Sequence, residues 1–171
     1  KLFHEAGVKY VIPVAEHHDG FPMYDSEFTE WTAVKKGPER DVIGDLAEAL
    51  RDQDIVFGAS SHRAEHWWFF DQGMYIDSDV LDAKNSSLYG PASNKRVAET
   101  HAEMPDQQFL DDWLLRTCEI VDKYQPEVIY FDWWICQPVF QPYLQKFGAS
   151  YYNRGKEWNK EVATDFTEWE G

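Results

Sequence analysis

Acidic and imidazole side chains gather at three places in this chain, each directly after a short apolar run. AEHHDGF (residues 15–21) follows YVIPV, SSHRAEH (60–66) follows IVFGA, and VIYFD closes on Asp132. Asp132 is the sharpest of these. A carboxylate at a strand end beside Trp133 and Trp134 is partly desolvated and rigidly held. That suits a nucleophile attacking an anomeric carbon, because fixed geometry supplies much of the rate. It equally suits an Asp that caps the next turn. His17 and His18 are adjacent, so on extended backbone their side chains diverge and are not expected to hold one metal together. One can hydrogen-bond substrate hydroxyls while the other orients a neighbour, or both can be satisfied by backbone. Asp19-Gly20 supplies a turn. Glu65, His66, Trp67 and Trp68 form a candidate sugar platform, flat apolar rings beside polar hooks. Arg63 can simply hold a carboxylate. Tyr24 and Trp31, in the loop after the first cluster, either wall the same pocket or anchor the loop.

The elements that must position these groups alternate. Residues 1–6 read as the end of a helix stopped by Gly7. Residues 10–15 are almost wholly apolar, as in a strand covered on both faces. After a polar and aromatic loop over 16–40, Asp41 can cap a helix with Ile43, Leu46, Ala47 and Leu50 at helical spacing. A second strand over 55–60 leads into a loop of some forty residues. Phe109, Leu110, Trp113, Leu114, Cys118 and Val121 mark another amphipathic helix ending before Pro126. A third strand covers 128–131, a short helix covers 139–147, and the tail ATDFTEWEG does not read as a barrel strand. The order is βα with parallel strands, and every polar cluster sits at a strand's carboxyl end. A (β/α)8 barrel uses that face for catalysis. An open doubly wound sheet also binds ligands there, but no Gly-rich phosphate loop follows any strand.

Composition narrows the partners. Of 171 residues 43% are hydrophobic and 16% aromatic, which is globular, and the net charge of −15 disfavours nucleic acid and anionic membranes. No apolar run approaches the ~20 residues of a membrane span. Cys118 and Cys136 have neither metal-ligand nor disulfide spacing and read as buried apolar residues.

KYVIPVAEHHDGFPMYDSEFTEW followed by GPERDVIGDLAEALR resembles the central segment of family 29 glycoside hydrolases, the α-L-fucosidases. There a strand ends in His-His-Asp-Gly-Phe, then come Tyr/Trp-x-Ser, Thr-x-Trp and a Gly-Pro-x-Arg-Asp helix start. VIYFDWW resembles the strand carrying that family's nucleophile, and SSHRAEHWWFF looks most like bacterial members. The likeness runs to about residue 159. It implies an α/β fold, three to four βα units of a (β/α)8 barrel, with residues 1–171 an incomplete catalytic domain. It implies a retaining hydrolase without a cofactor, acting on fucosylated oligosaccharides or glycoconjugates, with a periplasmic or secreted location. It carries the nucleophile onto Asp132, fucose-hydroxyl contacts onto His17 and His18, and further contacts onto Glu65, His66 and Trp67. The family's general acid/base is a Glu downstream of the nucleophile. None of Glu157, Glu161, Glu168 or Glu170 stands in its context, so the acid is expected outside this chain, and the chain alone is expected to be inactive. Two other readings remain: a metal-dependent hydrolase with His17, His62 and Asp132 as ligands, and a carbohydrate-binding homologue without turnover.

Overall fold

Five strands, all parallel, make the sheet in a computed structural model that describes residues 1–90, 92–93 and 103–167. Helix α1 (Leu2–Glu5) ends at Gly7, whose φ of +74° is the left-handed stop expected there. The first apolar run is not one strand but two, β1 (Tyr10–Val11) and β2 (Val14–Glu16). Pro13 breaks it because proline has no N–H for the ladder, although its carbonyl still accepts from Ser60 N at 2.9 Å. Both pieces pair with the same side of β3 (Val56–Ser61). β4 (Val128–Phe131) pairs with the other side of β3, and β5 (Ala163–Phe166) pairs with β4. Strand β5 corrects the reading of the tail. Its residues are mostly exposed, so backbone pairing with β4 forms it without the apolar pattern that marks an inner strand.

Between β2 and β3 runs α2 (Val42–Arg51), whose N-cap Asp41 accepts from Gly44 N and whose Ile43, Ala47 and Leu50 are buried. After β3 come α3 (His66–Phe69) and α4 (Ser86–Tyr89), joined by short 3-10 turns. Helix α5 (Gln107–Tyr124) precedes β4 and is capped by Asp106 at one end and by left-handed Gln125 at the other. Helix α6 (Gln141–Trp158), after β4, extends far beyond the 139–147 expected. Its stripe Tyr143, Phe147, Tyr151 and Gly155 continues at intervals of four, hidden in the sequence by polar neighbours and Gly148. Fully buried Trp113 of α5 joins the layers, its ring 5.5 Å from Phe131 of β4, 5.5 Å from Phe140 and 6.3 Å from Phe147 of α6.

The helices cover one face of the sheet. The strands are not covered all round as their composition suggested: Tyr10, Val14 and Val56 are exposed, and Val128 and Tyr130 are half-buried. Cys118 and Cys136 are likewise half-buried rather than core residues. No helix among the described residues is long and apolar enough to cross a membrane.

Candidate active site

Strand register assembles the site. Glu16 lies opposite Ser61, and Ser61 opposite Phe131. The residues one step further along each strand, His17, His62 and Asp132, therefore emerge side by side at the carboxyl edge. His62 stood in the sequence only as a candidate metal ligand; its register one step past Ser61 is the signal that places it here.

Asp132 caps a turn with one oxygen and faces the histidine cluster with the other. Oδ1 caps the following turn by accepting from Trp133 N at 3.0 Å. Oδ2 faces His62 Nδ1 at 3.1 Å and His18 Nε2 at 3.6 Å. Burial pulls the pKa of His62 down, and pulls His18 down to about 4, with neighbouring His17 adding to it. Both rings are thus neutral near pH 7, so neither contact with Asp132 is an ion pair; His62 Nδ1 lies within hydrogen-bond distance of it, and His18 Nε2, at 3.6 Å, lies just beyond. Donation from His62 Nδ1 fixes its tautomer and leaves Nε2 facing Ser60 Oγ at 3.3 Å.

His17 and His18 do not diverge. Gly20 N closes a turn onto His17 O at 3.0 Å, so the backbone is no longer extended, and the two rings stack at 4.2 Å. His17 is exposed, and its ring also lies 4.9 Å from that of His62.

Glu65 is 4% exposed and approaches the same point from α3's entry turn. Its Oε1 accepts from Trp134 N at 3.3 Å, while Oε2 lies 3.8 Å from His18 Nε2. Burial drives its pKa up to about 8. This carboxyl is therefore protonated at neutral pH, a donor rather than an anion. His66 and Trp67, by contrast, offer no surface to a sugar. His66 is fully buried with Nδ1 2.9 Å from His18 O and Nε2 3.1 Å from Tyr89 O. Burial holds its pKa well down, so the neutral ring donates to only one of these carbonyls at a time, and it supports the backbone of His18. Trp67 is 5% exposed, edge-on to Phe109 in the core. An exposed ring at the cluster is Phe69, two residues after Trp67, edge-on to His18 at 5.3 Å. Trp68 stacks on Trp134 at 4.4 Å and walls the Glu65 side.

Two residues of the first loop make anchoring contacts. Tyr24 is fully buried against Tyr124, and Trp31 donates to Ser87 Oγ at 2.9 Å, tying the first loop to the one after β3. Glu119 of α5 holds that first loop too, accepting from Ser26 Oγ and Glu27 N, each at 2.7 Å.

Beneath the turn lies a buried ion cluster. Arg63 donates to Asp112 at 2.8 Å and lies 3.5 Å from Glu16; Arg116 reaches Glu16 at 3.2 Å and Asp112 at 3.0 Å. Two acids and two bases balance. Burial raises Glu16 and lowers Arg63, while both acids raise Arg116. Arg63 does hold a carboxylate, and the cluster ties the ends of β2 and β3 to α5. Of the candidate acids, Glu157 pairs with Arg154 on the surface, Glu161 is exposed, and Glu168 and Glu170 lie outside the described residues.

The family model described as Alpha-L-fucosidase matches residues 1–170. Human tissue alpha-L-fucosidase is 30% identical over 141 residues, which is 81% of this chain and 25% of that protein. Human plasma alpha-L-fucosidase is 29% identical over 133 residues, 77% of this chain and 23% of that protein. Among solved structures, the Thermotoga maritima alpha-fucosidase in complex with fucose superposes with a TM-score of 0.70 at 28% identity, over 99% of this chain and 34% of that one. The same enzyme with a mechanism-based inhibitor gives 0.68 at 27% identity, over 99% of this chain and 34% of that one. The chain thus spans about a quarter of these curated relatives and about a third of the solved structures. Its parallel α/β sheet matches the barrel of those catalytic domains. Sheet, strand-end cluster and match over nearly every residue agree, and the chain belongs to the alpha-L-fucosidase family.

Proposed function

We propose that the protein carrying this chain hydrolyses terminal α-L-fucose from glycans with net retention, and that Asp132 is its nucleophile. The observation supporting this most directly is Asp132 Oδ2, held at a strand end and aimed between two neutral imidazoles, His62 at 3.1 Å and His18 at 3.6 Å. A fixed, partly exposed carboxylate with donors around it is a preorganised nucleophile.

In this reading Asp132 attacks the anomeric carbon as the glycosidic C–O bond breaks, and the leaving oxygen takes a proton from a general acid. Water then cleaves the fucosyl ester, giving its proton to the same group acting as base. Retaining pairs hold their carboxyls about 5–5.5 Å apart. Glu65 has an oxygen within 4.8 Å of one on Asp132, but one of its oxygens serves Trp134 N and the group is buried under His18. It is assigned instead to donating a hydrogen bond, and the acid/base to a Glu beyond this segment, as the resemblance implies. His17 and His18 take sugar hydroxyls, and Phe69 offers its face to the apolar side of the ring.

Asp132→Ala should cut turnover of an aryl α-fucoside by at least about a thousandfold. Azide should restore part of it and yield a fucosyl azide, since the cavity admits a small anion. A variant keeping most of its turnover removes Asp132 from this role.

A further inference from the structure

Three imidazoles converge at this edge. His17, His18 and His62 each offer one ring nitrogen to a set whose members lie within 4.8 Å of one another. A second set, His18, Glu65 and Asp132, meets the same limit and shares His18. Exposed His17 leaves the set open to solvent. His18 Nε2, although buried, has no hydrogen-bond partner. A sugar hydroxyl can meet that need, and so can a cation.

We propose that His17, His18 and His62 take up a divalent transition cation of the zinc class, and that the bound cation excludes the sugar, inhibiting rather than catalysing. Imidazole ligands select Zn²⁺, Cu²⁺ and Ni²⁺ over Mg²⁺ and Ca²⁺, which prefer oxygen. With Zn–N bonds of about 2.0–2.1 Å, tetrahedral ligand nitrogens lie about 3.4 Å apart. The present set is looser by about 1.4 Å at most. Side-chain rotation of exposed His17 supplies movement of that size. Three protein ligands leave a fourth position for water. Asp132 stands beside the set, 3.1 Å from His62 Nδ1, so its carboxylate is close to the bound dication or to a ligating ring. The site is a single one. Each imidazole given to the cation is withdrawn from sugar hydroxyls, and a dication beside Asp132 draws on the charge that must attack. The exclusion rests on the fucosidase reading; the binding does not.

The test titrates ZnCl2 into the metal-free protein by calorimetry, with MgCl2 alongside, and records the absorption spectrum with CoCl2. One Zn²⁺ per chain with a Kd below about 100 μM is expected, and no binding of Mg²⁺. His17→Ala, at an exposed position, should weaken Zn²⁺ by at least about tenfold, and His62→Ala should do the same. The cobalt spectrum should show nitrogen and oxygen ligation. Absence of stoichiometric Zn²⁺ binding, unchanged affinity in His17→Ala, or a thiolate charge-transfer band from Cys118 or Cys136 each overturns the site. Added zinc should raise KM for an aryl α-fucoside with kcat little changed; a rise in kcat overturns the inhibitory role. A protein that binds Zn²⁺ yet has no fucosidase activity when metal-free refutes the fucosidase reading alone. One that hydrolyses fucosides and ignores Zn²⁺ refutes the metal site alone.

Discussion

Two carboxyl groups with oxygens within 4.8 Å divide their protons according to surroundings, and here burial assigns the proton to Glu65. The consequence is measurable. Glu65 titrates near 8 in the folded chain and near 4.5 when unfolded, so the native state holds a proton that the unfolded state releases. Stability is therefore lost as pH rises from 4.5 to 8. His18, lowered to about 4, and the lowered His62 and His66 act in the opposite sense, an effect centred on their unfolded value of 6.5 that fades about one pH unit above it. The window from about pH 7.5 to 8 therefore reports mainly the carboxyls. Glu65→Gln should flatten part of the decline in Tm across that window; Glu16, whose pKa burial also raises, acts in the same direction and stays in place. A Tm profile parallel to that of the unsubstituted protein would show that Glu65 is already ionised. Asp132 was legible in the sequence because it closes an apolar run. The proton on Glu65 was not, because it depends on burial under residues distant in the chain. The placing of Phe69 over Trp67 was equally hidden, since WWFF is apolar throughout and only packing decides which rings stay exposed.

At the scale of elements, the turn between β2 and the first loop is held in a tight seat. Gly20 has φ +76°, and a Cβ there would sit 2.5 Å from Arg63 Nη1 and 2.8 Å from the His66 ring. Neither neighbour can swing away: Arg63 is locked in the ion cluster and His66 between two carbonyls. Gly20→Ala should cost about 1–3 kcal/mol in denaturant unfolding. Gly37→Ala makes the control, since its φ is +71° but nothing lies within 4 Å, so it should lose only the backbone part. Equal losses in the two variants would mean that the seat yields. The sequence announced this turn through Asp19-Gly20 but not its clamp, whose members Arg63 and His66 lie some forty residues on. Strand order, α2 and α5 were legible from period and caps. Strand β5 and the second half of α6 were not, because backbone pairing and a stripe one residue wide hold them.

For the molecule as a whole, a charge of −15 opposes the apolar residues at the sheet's two sides, Tyr10 and Val14 on one and Phe166 on the other, all at least 40% exposed. Neither side has a further ladder partner among the described residues. Repulsion reaches about 30 Å at 0.01 M salt and about 8 Å at 0.15 M. The 171-residue polypeptide should therefore sediment as a monomer at low salt and associate as salt is raised. Association that weakened with salt would point to paired charges instead of strand edges. The sequence displayed the charge openly, but the exposed edges follow from strand order, which composition does not specify.

The ion cluster under the turn also sets a timetable. Glu16 is bonded to Arg116, one hundred residues later in the chain. At ribosomal speeds of about 5–20 residues per second, roughly 5–20 s separate the two during synthesis. Through that interval the ends of β2 and β3 carry Glu16 and Arg63, charges destined for burial, without the helix that supplies Asp112 and Arg116. His17, His18 and His62 thus leave the ribosome before the clamp that fixes them, and Asp132 follows the clamp by only sixteen residues. The nascent chain thus completes the ion cluster under the turn shortly before it adds Asp132, the carboxylate that faces His18 and His62.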